Sequence, residues 1–306
     1  MNIVVLTTGG TISCTRDSAG HLIPTVSGAQ LVDAVLPLLD GADVTVSVKE
    51  VTRMDSAAMT FFDIDEIVTA VHQALADPDV DGVVVTHGTD SMEETAVALD
   101  TFTDDERPVI VTGAMRPFDD EDPDGIRNLF EAILIATDQS ARGIGTLIVF
   151  SHAVIPARGA MKWHTHDTLA FATNGPEEPE RADPVPVVPL ADVVVEIVSA
   201  YPGAPREIID AAVERGVDGL VVEGMGAGNV GSQVAAGIND ALKKGIPVVI
   251  TTRVPRGDVA GAYGGAGGGA SLKEMGAYGS GYFRAGQARV LLAIAIASGR
   301  HIATLL

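Results

Sequence analysis

Short runs of valine, isoleucine and leucine recur along the first half of this chain, and each run ends in a loop of small residues that leads into a segment with helical spacing. These strand-like runs are Ile3 to Thr7, Val44 to Val48, Gly82 to Thr86, Val109 to Thr112 and Thr146 to Phe150. Almost continuous aliphatic residues are expected when both faces of a strand are covered by other elements. The alternation of such strands with helices predicts an α/β fold, with a mostly parallel sheet flanked by helices.

Helix signals fill the stretches between the strand-like runs. The stretch from Ser27 to Gln30 is a capping-box pattern, in which serine and glutamine satisfy free backbone N–H groups at the start of a helix. A second helix is predicted from about Thr60, because the apolar residues that follow recur on one face. A third begins near Asp90 with Glu93 and Glu94 in its first turn, facing the positive end of the helix dipole. A fourth follows the fourth strand-like run.

A stretch rich in proline and acidic residues separates two parts of the chain. At 306 residues the chain is about two domains long, taking ~150 residues per domain, and the prolines of this stretch exclude a central strand or a helix. We therefore predict a larger N-terminal α/β domain over 1–175, a linker over 176–191 and a smaller C-terminal α/β domain with a parallel sheet over 192–306. The C-terminal segments that continue the strand and helix pattern are Val193 to Val198, Arg206 to Arg215, Gly219 to Val222, a helix ending at Lys244, Pro247 to Ile250 and Gln287 to Ala297.

The amino-acid composition limits the kinds of molecule that the protein is expected to bind. The formal net charge is -21, from 20 basic and 41 acidic residues, and such a surface repels nucleic acid and anionic membranes. The single cysteine, Cys14, cannot form an internal disulfide, which fits a reducing compartment. The first apolar run is too short for a signal peptide or a membrane span. We therefore expect a cytoplasmic protein that binds neither nucleic acid nor membranes.

Two loops that follow strand-like runs are rich in threonine. In open parallel sheets, ligands bind beyond the carboxyl ends of the strands. The loop from Thr7 to Ile12 contains paired glycines, which let the backbone pass close to a ligand and leave the Thr11 hydroxyl exposed. The loop from Thr86 to Glu94 places Thr89 and Asp90 at a helix N-terminus, where such residues commonly act only as caps. Two hydroxyls and a carboxylate that converge from two strand ends indicate a functional site in one crevice.

Other motifs lack parts that their chemistry needs. His164 and His166 are spaced like zinc ligands, but no third ligand is evident. Ser151-His152 lacks the Gly-x-Ser-x-Gly turn of serine hydrolases. The stretch Gly224 to Asn229 fails the dinucleotide-binding spacing, and Gly264 to Gly269 has no Lys-Ser/Thr for a phosphate. We therefore expect no metal and no cofactor, and we interpret these glycine-rich stretches as a tight turn and a mobile loop.

The two threonine-rich loops resemble the signature motifs of bacterial L-asparaginases. The stretch TTGGTIS, residues 7–13, is similar to the first motif, and THGTDSMEETA, residues 86–96, is similar to the second. Further segments that resemble the family in the same order are Asp55 to Thr60, Thr112 to Pro117, Asp124-Gly125 with Asn128-Leu129, Arg158 to Asp167, Gly224 to Asn229 and Ala288 to Leu292. The resemblance covers nearly the whole chain. It implies hydrolysis of L-asparagine to L-aspartate and ammonia, by subunits paired into homodimers or homotetramers.

The resemblance also implies roles for individual residues. Thr11 is expected to attack the side-chain amide and form a threonyl ester, while Thr89, Asp90 and Lys162 handle protons. Asp90 is also expected at the substrate's α-amine. The remaining residues expected to surround the substrate are Gly10, Asp55, Gly88, Ser56 at the α-carboxylate, Ala114 with its carbonyl near the leaving amine, and Asn229, which reaches toward a neighbouring subunit's site.

The chemistry requires residues of these types. A threonine hydroxyl needs a base to become a nucleophile, and the tetrahedral oxyanion needs donors such as the backbone N–H groups of the Gly10-Thr11 and Gly88-Thr89 loops. A lysine is protonated at neutral pH, and a neighbouring carboxylate favours the charged form further. We therefore expect protons to pass through Thr89, with Lys162 and Asp90 orienting the relay.

The sequence departs from the family in the flexible loop after the nucleophile. Family members commonly carry a tyrosine there, whereas this chain reads Gly20 to Pro24 and has no tyrosine before Tyr201. Thr11 is then activated without it, or His21 or a tyrosine of the C-terminal domain substitutes. Ala57 and Ala227 also stand where other members have polar residues. These departures leave open an amidase for glutamine, D-asparagine or another small amide, and a non-catalytic amino-acid-binding module.

Overall fold

The elements of the structure follow the alternation that the sequence predicts, and the computed structural model describes residues 1–306. The strands of the first part are β1 (Asn2–Gly9), β2 (Cys14–Arg16), β3 (Leu22–Pro24), β4 (Thr45–Met54), β5 (Gly82–Thr86), β6 (Val109–Thr112), β7 (Thr146–Phe150), β8 (Ala153–Pro156), β9 (Ala160–Lys162) and β10 (Phe171–Thr173). The α-helices of that part are α1 (Gly28–Val35), α2 (Phe61–Leu75), α3 (Met92–Phe102) and α4 (Gly125–Thr137). The elements of the last part are β11 (Val195–Ser199), α5 (Glu207–Glu214), β12 (Gly219–Gly224), α6 (Ser232–Lys243), β13 (Val248–Thr252), α7 (Gly269–Glu274), β14 (Tyr278–Gly279) and α8 (Ala285–Ser298).

The larger sheet has six strands in the order β4-β1-β5-β6-β7-β8, and only β8 runs antiparallel to its neighbour. The predicted, mostly parallel sheet is therefore confirmed. Its register aligns Thr7 with Thr86, and Thr86 with Thr112. The loops after β1, β5 and β6 consequently leave the sheet at one level of its carboxyl edge, which brings the two threonine-rich loops side by side.

Helices cover both faces of this sheet. Ile3, Val84 and Ile110 pack in one core cluster with residues of α1 and α4, such as Leu31 and Leu129. Successive side chains of a strand point to opposite faces, and the alternate residues of these strands are buried too. Each fully buried aliphatic side chain stabilises the fold by roughly 2 kcal/mol relative to exposure. Burial on both faces explains why the runs in the sequence are continuous rather than alternating.

A smaller sheet of four parallel strands, in the order β11-β12-β13-β14, organises the last part of the chain. Ile209 of α5 and Val234 of α6 pack with Leu220 in its core. Leu292 of α8 lies against Gly219 of β12. The predicted C-terminal α/β fold with a parallel sheet is confirmed. None of the helices is both long and apolar enough to cross a bilayer.

The proline-rich stretch 176–191 is divided between two compact units. The units comprise Met1–Thr173 with Glu177–Val187, and Asn174–Pro176 with Val188–Leu306. The stretch contains no helix or strand, as its prolines predict. Arg181 donates from Nε to the buried carboxylate of Asp100 at 3.0 Å, and Asp100 belongs to α3. This ion pair holds part of the stretch on the first unit.

Three short strand pairings leave no clear pattern in the sequence. The strands β2 and β3 form an antiparallel hairpin directly after the Thr7 to Ile12 loop, and β9 pairs with β10. The strands β7 and β8 are joined by Ser151 and His152, which both have positive φ, as in a type I′ hairpin turn. Strands of three or four residues are too short to show a periodicity.

Candidate active site

Three loops at the carboxyl edge of the larger sheet meet around a pair of glycines. A Cβ atom on Gly10 would lie 2.5 Å from the backbone nitrogen of Gly88, and a Cβ atom on Gly88 would lie 2.7 Å from the Cβ atom of Ser56. Side-chain carbons do not approach other atoms so closely, so these contacts require glycine at both positions. The loops after β1, β4 and β5 therefore touch one another directly.

The loop after β1 presents Thr11 as the first residue of a short 3₁₀ turn. Gly9 and Gly10 have φ angles of 101° and 80°, in the left-handed region that favours glycine. The Gly10 N–H donates to the Met54 carbonyl at 3.1 Å, and the Gly10 carbonyl accepts from the Ser13 N–H at 3.0 Å. The first N–H groups of a helical turn have no partner within that turn. The Thr11 N–H, which opens the turn, therefore has no acceptor within that turn.

Lys162 reaches from β9 to the loop after β5. Its Nζ donates to Thr89 Oγ1 at 2.8 Å and to Asp90 Oδ1 at 2.6 Å. The lysine side chain is 22% exposed. Because Thr89 Oγ1 accepts from the ammonium, its own hydrogen must point to another group. The three residues predicted to handle protons are therefore joined by hydrogen bonds from the Lys162 ammonium.

Ser56 connects the loop after β4 to the start of α3. The Asp90 N–H donates to Ser56 Oγ at 3.1 Å, and Ser91 Oγ donates to the Ser56 carbonyl at 2.7 Å. Since the buried Ser56 hydroxyl accepts here, its own hydrogen remains to donate elsewhere. Asp55 caps the turn that begins at Ser56 by accepting the Ala57 N–H at 3.1 Å. Both residues belong to the same crevice as Asp90.

A cavity of about 130 Å³ lies between these loops. The residues that line it are Gly10, Thr11, Asp55, Ser56, Gly88, Thr89, Asp90, Met115, Lys162 and Thr165. Eight of the ten residues that the sequence predicts for the site are among them, and Ala114 and Asn229 are not. Met115 and Thr165 are additional lining residues. Thr165 lies in the loop between β9 and β10. These strands are not part of the main sheet, so the expectation that ligands bind at that sheet's carboxyl edge does not predict this residue.

A second chamber of about 270 Å³ shares part of its wall with this cavity. The shared residues are Gly10, Thr11, Asp55 and Asp90, and the others are Cys14, Leu22, Pro24 and Met54. The β2 and β3 hairpin supplies most of this second, largely apolar set. An apolar wall therefore stands beside Thr11 where the family resemblance leads us to look for a tyrosine. The side chain of His21 is 78% exposed, and its Nδ1 lies 3.5 Å from Asp17 Oδ2. It therefore does not take the place of the tyrosine beside Thr11.

The thiol of Cys14 faces the nucleophile loop. Its Sγ donates to the Gly10 carbonyl at 3.4 Å. Burial raises the pKa of the Cys14 thiol, and the negative charges of Asp55 and Asp119 raise it further. The thiol is therefore protonated at neutral pH and acts as a small packing group.

The loop after β6 is held by α4. Asp124 Oδ2 accepts from the Met115 N–H at 3.0 Å, and Asn128 Nδ2 donates to the Gly113 carbonyl at 3.0 Å. These bonds fix Met115 at the cavity, whereas the preceding Ala114 is only 1% exposed and does not line it. The expected contact of the Ala114 carbonyl with a leaving amine stays a prediction.

His87 is a buried residue of the second motif that sequence reasoning assigned to no role. Its Nδ1 lies 2.7 Å from the Gly88 carbonyl and its Nε2 lies 2.9 Å from Thr95 Oγ1. Burial lowers the pKa of His87 to about 4, so the ring is neutral at neutral pH. Since a carbonyl can only accept, Nδ1 carries the proton. This bond fixes the Gly88–Thr89 peptide, whose N–H points away from the imidazole.

Asn229 belongs to the second unit, in the loop after β12. Its Oδ1 accepts from the Gly269 N–H at 3.2 Å, and its carbonyl accepts from the Met225 N–H at 2.8 Å. The bond between Met225 and Asn229 closes the tight turn that the sequence predicts for this glycine-rich stretch, and the bond from Gly269 joins that turn to the start of α7. The expected reach of Asn229 toward a neighbouring subunit stays a prediction.

The two histidine-containing motifs, at residues 151–152 and 164–166, make contacts within their own surroundings. His164 Nδ1 accepts from the N–H groups of His166 and Asp167, at 3.1 Å and 2.7 Å, which folds the loop between β9 and β10 on itself. His152 Nδ1 lies 2.6 Å from Glu131 Oε1 on the surface of α4. No group of three histidine, cysteine or carboxylate residues has the arrangement of a metal site.

Two family models match the chain, one after the other. The model described as "Asparaginase, N-terminal" matches residues 2–183, and the one described as "Glutaminase/Asparaginase C-terminal domain" matches residues 194–305. The chain belongs to the asparaginase family. The resemblance drawn from the two threonine-rich motifs is thereby confirmed.

Relatives of this asparaginase-family chain align with most of its length. An L-asparaginase of Bacillus licheniformis is 33% identical over 311 residues, which cover 97% of this chain and 95% of the relative. L-asparaginase 2 of Escherichia coli (strain K12) is 34% identical over 280 residues, or 84% of this chain and 79% of the relative. The crystal structure of a probable cytoplasmic L-asparaginase from Campylobacter jejuni has a TM-score of 0.88 at 28% identity, covering 99% of this chain and 97% of the other. The two-unit α/β architecture is therefore that of the asparaginase family.

Proposed function

We propose that this asparaginase-family protein hydrolyses the side-chain amide of L-asparagine to L-aspartate and ammonia. The family makes it an amidohydrolase, and the named relatives are L-asparaginases. The observation that carries the proposal is the pair of bonds from Lys162 Nζ to Thr89 and Asp90, beside a cavity that Thr11 also lines. This arrangement offers a nucleophilic hydroxyl, a second hydroxyl and a charged pair to one small molecule.

In the first step Thr11 Oγ1 attacks the amide carbon of the substrate. A C–O bond forms, and the carbonyl π electrons move onto oxygen. Thr89 Oγ1 takes the proton of Thr11 as it gives its own hydrogen to the amide nitrogen. The oxyanion electrons then re-form the carbonyl bond as the C–N bond breaks and ammonia leaves. Lys162 stays an ammonium throughout and stabilises the electron-rich Thr89 oxygen. The product of this step is an aspartyl ester of Thr11.

In the second step a water molecule attacks the ester carbon. Its proton passes through Thr89 to Thr11 Oγ1 as the C–O bond of the ester breaks, which restores both hydroxyls and releases L-aspartate. In each step the oxyanion needs preorganised donors. We assign these to the N–H groups of Thr11 and Thr89, because one opens a 3₁₀ turn and the other is oriented by the bond between His87 and the Gly88 carbonyl.

The substrate's α-groups are assigned to the other side of the cavity. Ser56 has a hydroxyl hydrogen left to donate to the α-carboxylate, and Asp90 offers a carboxylate to the α-ammonium. Asp55 adds negative charge near that ammonium, while the backbones of the paired glycines let the substrate approach closely. The Ala114 carbonyl is assigned to the leaving amine.

The assembly and the compartment belong to the same proposal. We assign the protein to the cytoplasm, since the Campylobacter jejuni protein that it resembles is named as probably cytoplasmic and the charge is strongly negative. We assign it a homodimer or homotetramer, in which Asn229 approaches the site of a neighbouring subunit.

L-glutamine is the second candidate substrate. The chamber of about 270 Å³ beside Thr11 offers room for a longer side chain, and Leu22 and Pro24 give it an apolar wall for one more methylene. The C-terminal family model also carries glutaminase in its description.

The test is ammonia release from a panel of amides. We expect L-asparagine to give the highest kcat/KM, above L-glutamine and D-asparagine, and Thr11→Ala to release no ammonia while still binding aspartate in calorimetry. Aspartate binding by the wild-type protein without ammonia release from any amide would show a binding module instead. A higher kcat/KM for L-glutamine than for L-asparagine would identify glutamine as the preferred substrate and leave the proposed mechanism unchanged.

A further inference from the structure

Glu93 makes a contact with Lys162 that neither the motif nor the helix-dipole interpretation predicts. It lies in the first turn of α3, three residues after Asp90. Its Oε2 accepts a hydrogen bond from the backbone N–H of Lys162, across a sequence separation of 69 residues. A glutamate at a helix start is ordinarily explained by the dipole alone. Here the same carboxylate also ties the helix to the backbone of the residue that supplies the site's ammonium group.

The strand that carries Lys162 has little support of its own. It is three residues long and pairs only with β10, in a two-stranded sheet separate from the six-stranded one. β9 therefore shares no strand pairing with the main sheet, in contrast to β1 and β5, which precede the two threonine-rich loops. Its approach to α3 also includes the buried Arg158, whose Nη1 lies 4.0 Å from Asp100 Oδ2. The hydrogen bond to Glu93 supplies a fixed point between β9 and α3 at Lys162 itself.

Residues at and just before the start of α3 bind Lys162 through both its ammonium group and its backbone N–H. Thr89 and Asp90 accept from its Nζ at 2.8 Å and 2.6 Å, and Glu93 accepts from its backbone nitrogen. A lysine side chain is long and flexible, so its ammonium is well placed only when its backbone is also fixed. A misplacement of about 1 Å in a catalytic group lowers rates by as much as 10²-fold.

We propose that Glu93 is a positioning residue, which holds the Lys162 backbone so that the Lys162 ammonium stays on Thr89 and Asp90. The inference rests on the proposed function, in which those groups move protons. Glu93 acts through Lys162 and does not itself touch the substrate.

The chemistry of the carboxyl group suggests how to test this role. Burial raises the pKa of Glu93 to about 7, and the neighbouring Glu94 contributes to the rise, against the lowering effects of the Lys162 N–H and the Lys162 ammonium. A carboxyl group keeps an acceptor oxygen in either protonation state. Glutamine has an acceptor oxygen at the same reach but no charge, whereas aspartate keeps the charge and is one methylene shorter.

The experiment compares Glu93→Gln, Glu93→Asp and the matched control Glu94→Gln, which removes a charge from the same helix turn. We expect Glu93→Asp to lower kcat for L-asparagine by roughly 10- to 100-fold with KM nearly unchanged. We expect Glu93→Gln to keep most of the wild-type kcat. A role through charge alone predicts the reverse order, with Glu93→Gln below Glu93→Asp, and that order would overturn the proposal.

Amide hydrogen exchange of the peptide that covers residues 160–163 gives a readout that does not depend on turnover. We expect faster exchange at Lys162 in Glu93→Asp, and wild-type exchange in both glutamine variants. Unchanged exchange in Glu93→Asp would reject the positioning role, whatever the activity. If the wild-type protein releases no ammonia while the exchange pattern appears as expected, the proposed function fails and the hold of Glu93 on Lys162 stands.

Discussion

The two halves of the site are built in different ways. The Thr11 half is fixed by its backbone, through left-handed Gly9 and Gly10 and through contact with Gly88. The Lys162 half lies on a three-residue strand outside the six-stranded sheet, and side chains at the start of α3 hold it. The position of the nucleophile is therefore a property of the chain path itself, whereas the position of the ammonium depends on a few removable side-chain contacts.

The largest effect is expected from Thr11→Ala, which removes the nucleophile and leaves the chain path intact. We expect kcat to fall by about 10⁴-fold or more, since little catalysis survives loss of a nucleophile. The free energy of unfolding should change by less than about 1 kcal/mol. Thr15→Ala is the control, because the Thr15 side-chain hydroxyl lies 2.8 Å from the exposed Thr25 hydroxyl and does not line the cavity. Ammonia release and urea unfolding measure both, and an active Thr11→Ala would reject Thr11 as nucleophile.

Lys162→Met tests the second half by removing the ammonium and keeping a stem of similar length. Thr89 and Asp90 then lose their shared donor, and we expect kcat to fall by roughly 10²- to 10³-fold, as for other lost proton-transfer groups. Stability should change by about 1 kcal/mol at most, because the ion pair is partly exposed. The control is Lys49→Met, which removes an exposed bond to Gln73 of 3.0 Å. Equal kcat values for the two variants would contradict the proton relay.

Gly10→Ala tests the claim that backbone contact fixes the nucleophile. The added Cβ atom would lie 2.5 Å from the Gly88 nitrogen at a φ of +80°. We expect the free energy of unfolding to fall by about 3 kcal/mol or more, from overlap and strain together. Gly20→Ala has a similar φ of +86° with no atom within 4 Å, so it should lose only about 1 kcal/mol. Similar urea midpoints for the two variants would show that contact with Gly88 is unimportant.

The smallest effect at neutral pH is expected at His87, whose contribution to the pH dependence of stability develops only on acidification. Its pKa is about 4 in the folded protein against an ordinary value of 6.5. Between these values the unfolded chain binds a proton that the folded protein does not, so stability is lost as pH falls from 6.5 to about 4. The loss approaches about 3 kcal/mol. His87→Gln removes this titration, so its stability relative to wild type should improve on acidification in urea unfolding at one protein concentration. A constant difference between the two proteins would show that His87 is not buried in neutral form.

Local sequence patterns predict the main sheet well and its edges poorly. The fully buried strand Gly82–Thr86 has the predicted bounds, because burial on both faces demands a continuous aliphatic run. The edge strand β4 continues to Met54, well beyond the predicted Val48, since one of its sides has no neighbouring strand and tolerates polar residues such as Lys49 and Glu50. An edge strand is set by its pairing partner more than by its own pattern.

The residues of the candidate site also differ in how well the sequence predicts their positions. The two motifs predict the Gly10 and Gly88 loops, because each follows a strand whose carboxyl end lies at the same edge. The contact between Glu93 and Lys162 has no such signal, since it joins residues 69 positions apart through one side chain. The placement of Leu22 beside Thr11 depends on a hairpin of two three-residue strands. Long-range contacts of this kind leave no periodicity in the sequence.

The buried, protonated thiol of Cys14 has a practical consequence for spectroscopy. Thiol-reactive dyes couple to thiolates, so the only native cysteine of the chain is a poor target for them. A cysteine introduced at an exposed position of the β2 and β3 hairpin, such as Ser18, would then be the one site that takes up a fluorophore. The wild-type background thus allows the environment of that hairpin to be followed during turnover without first replacing a native residue.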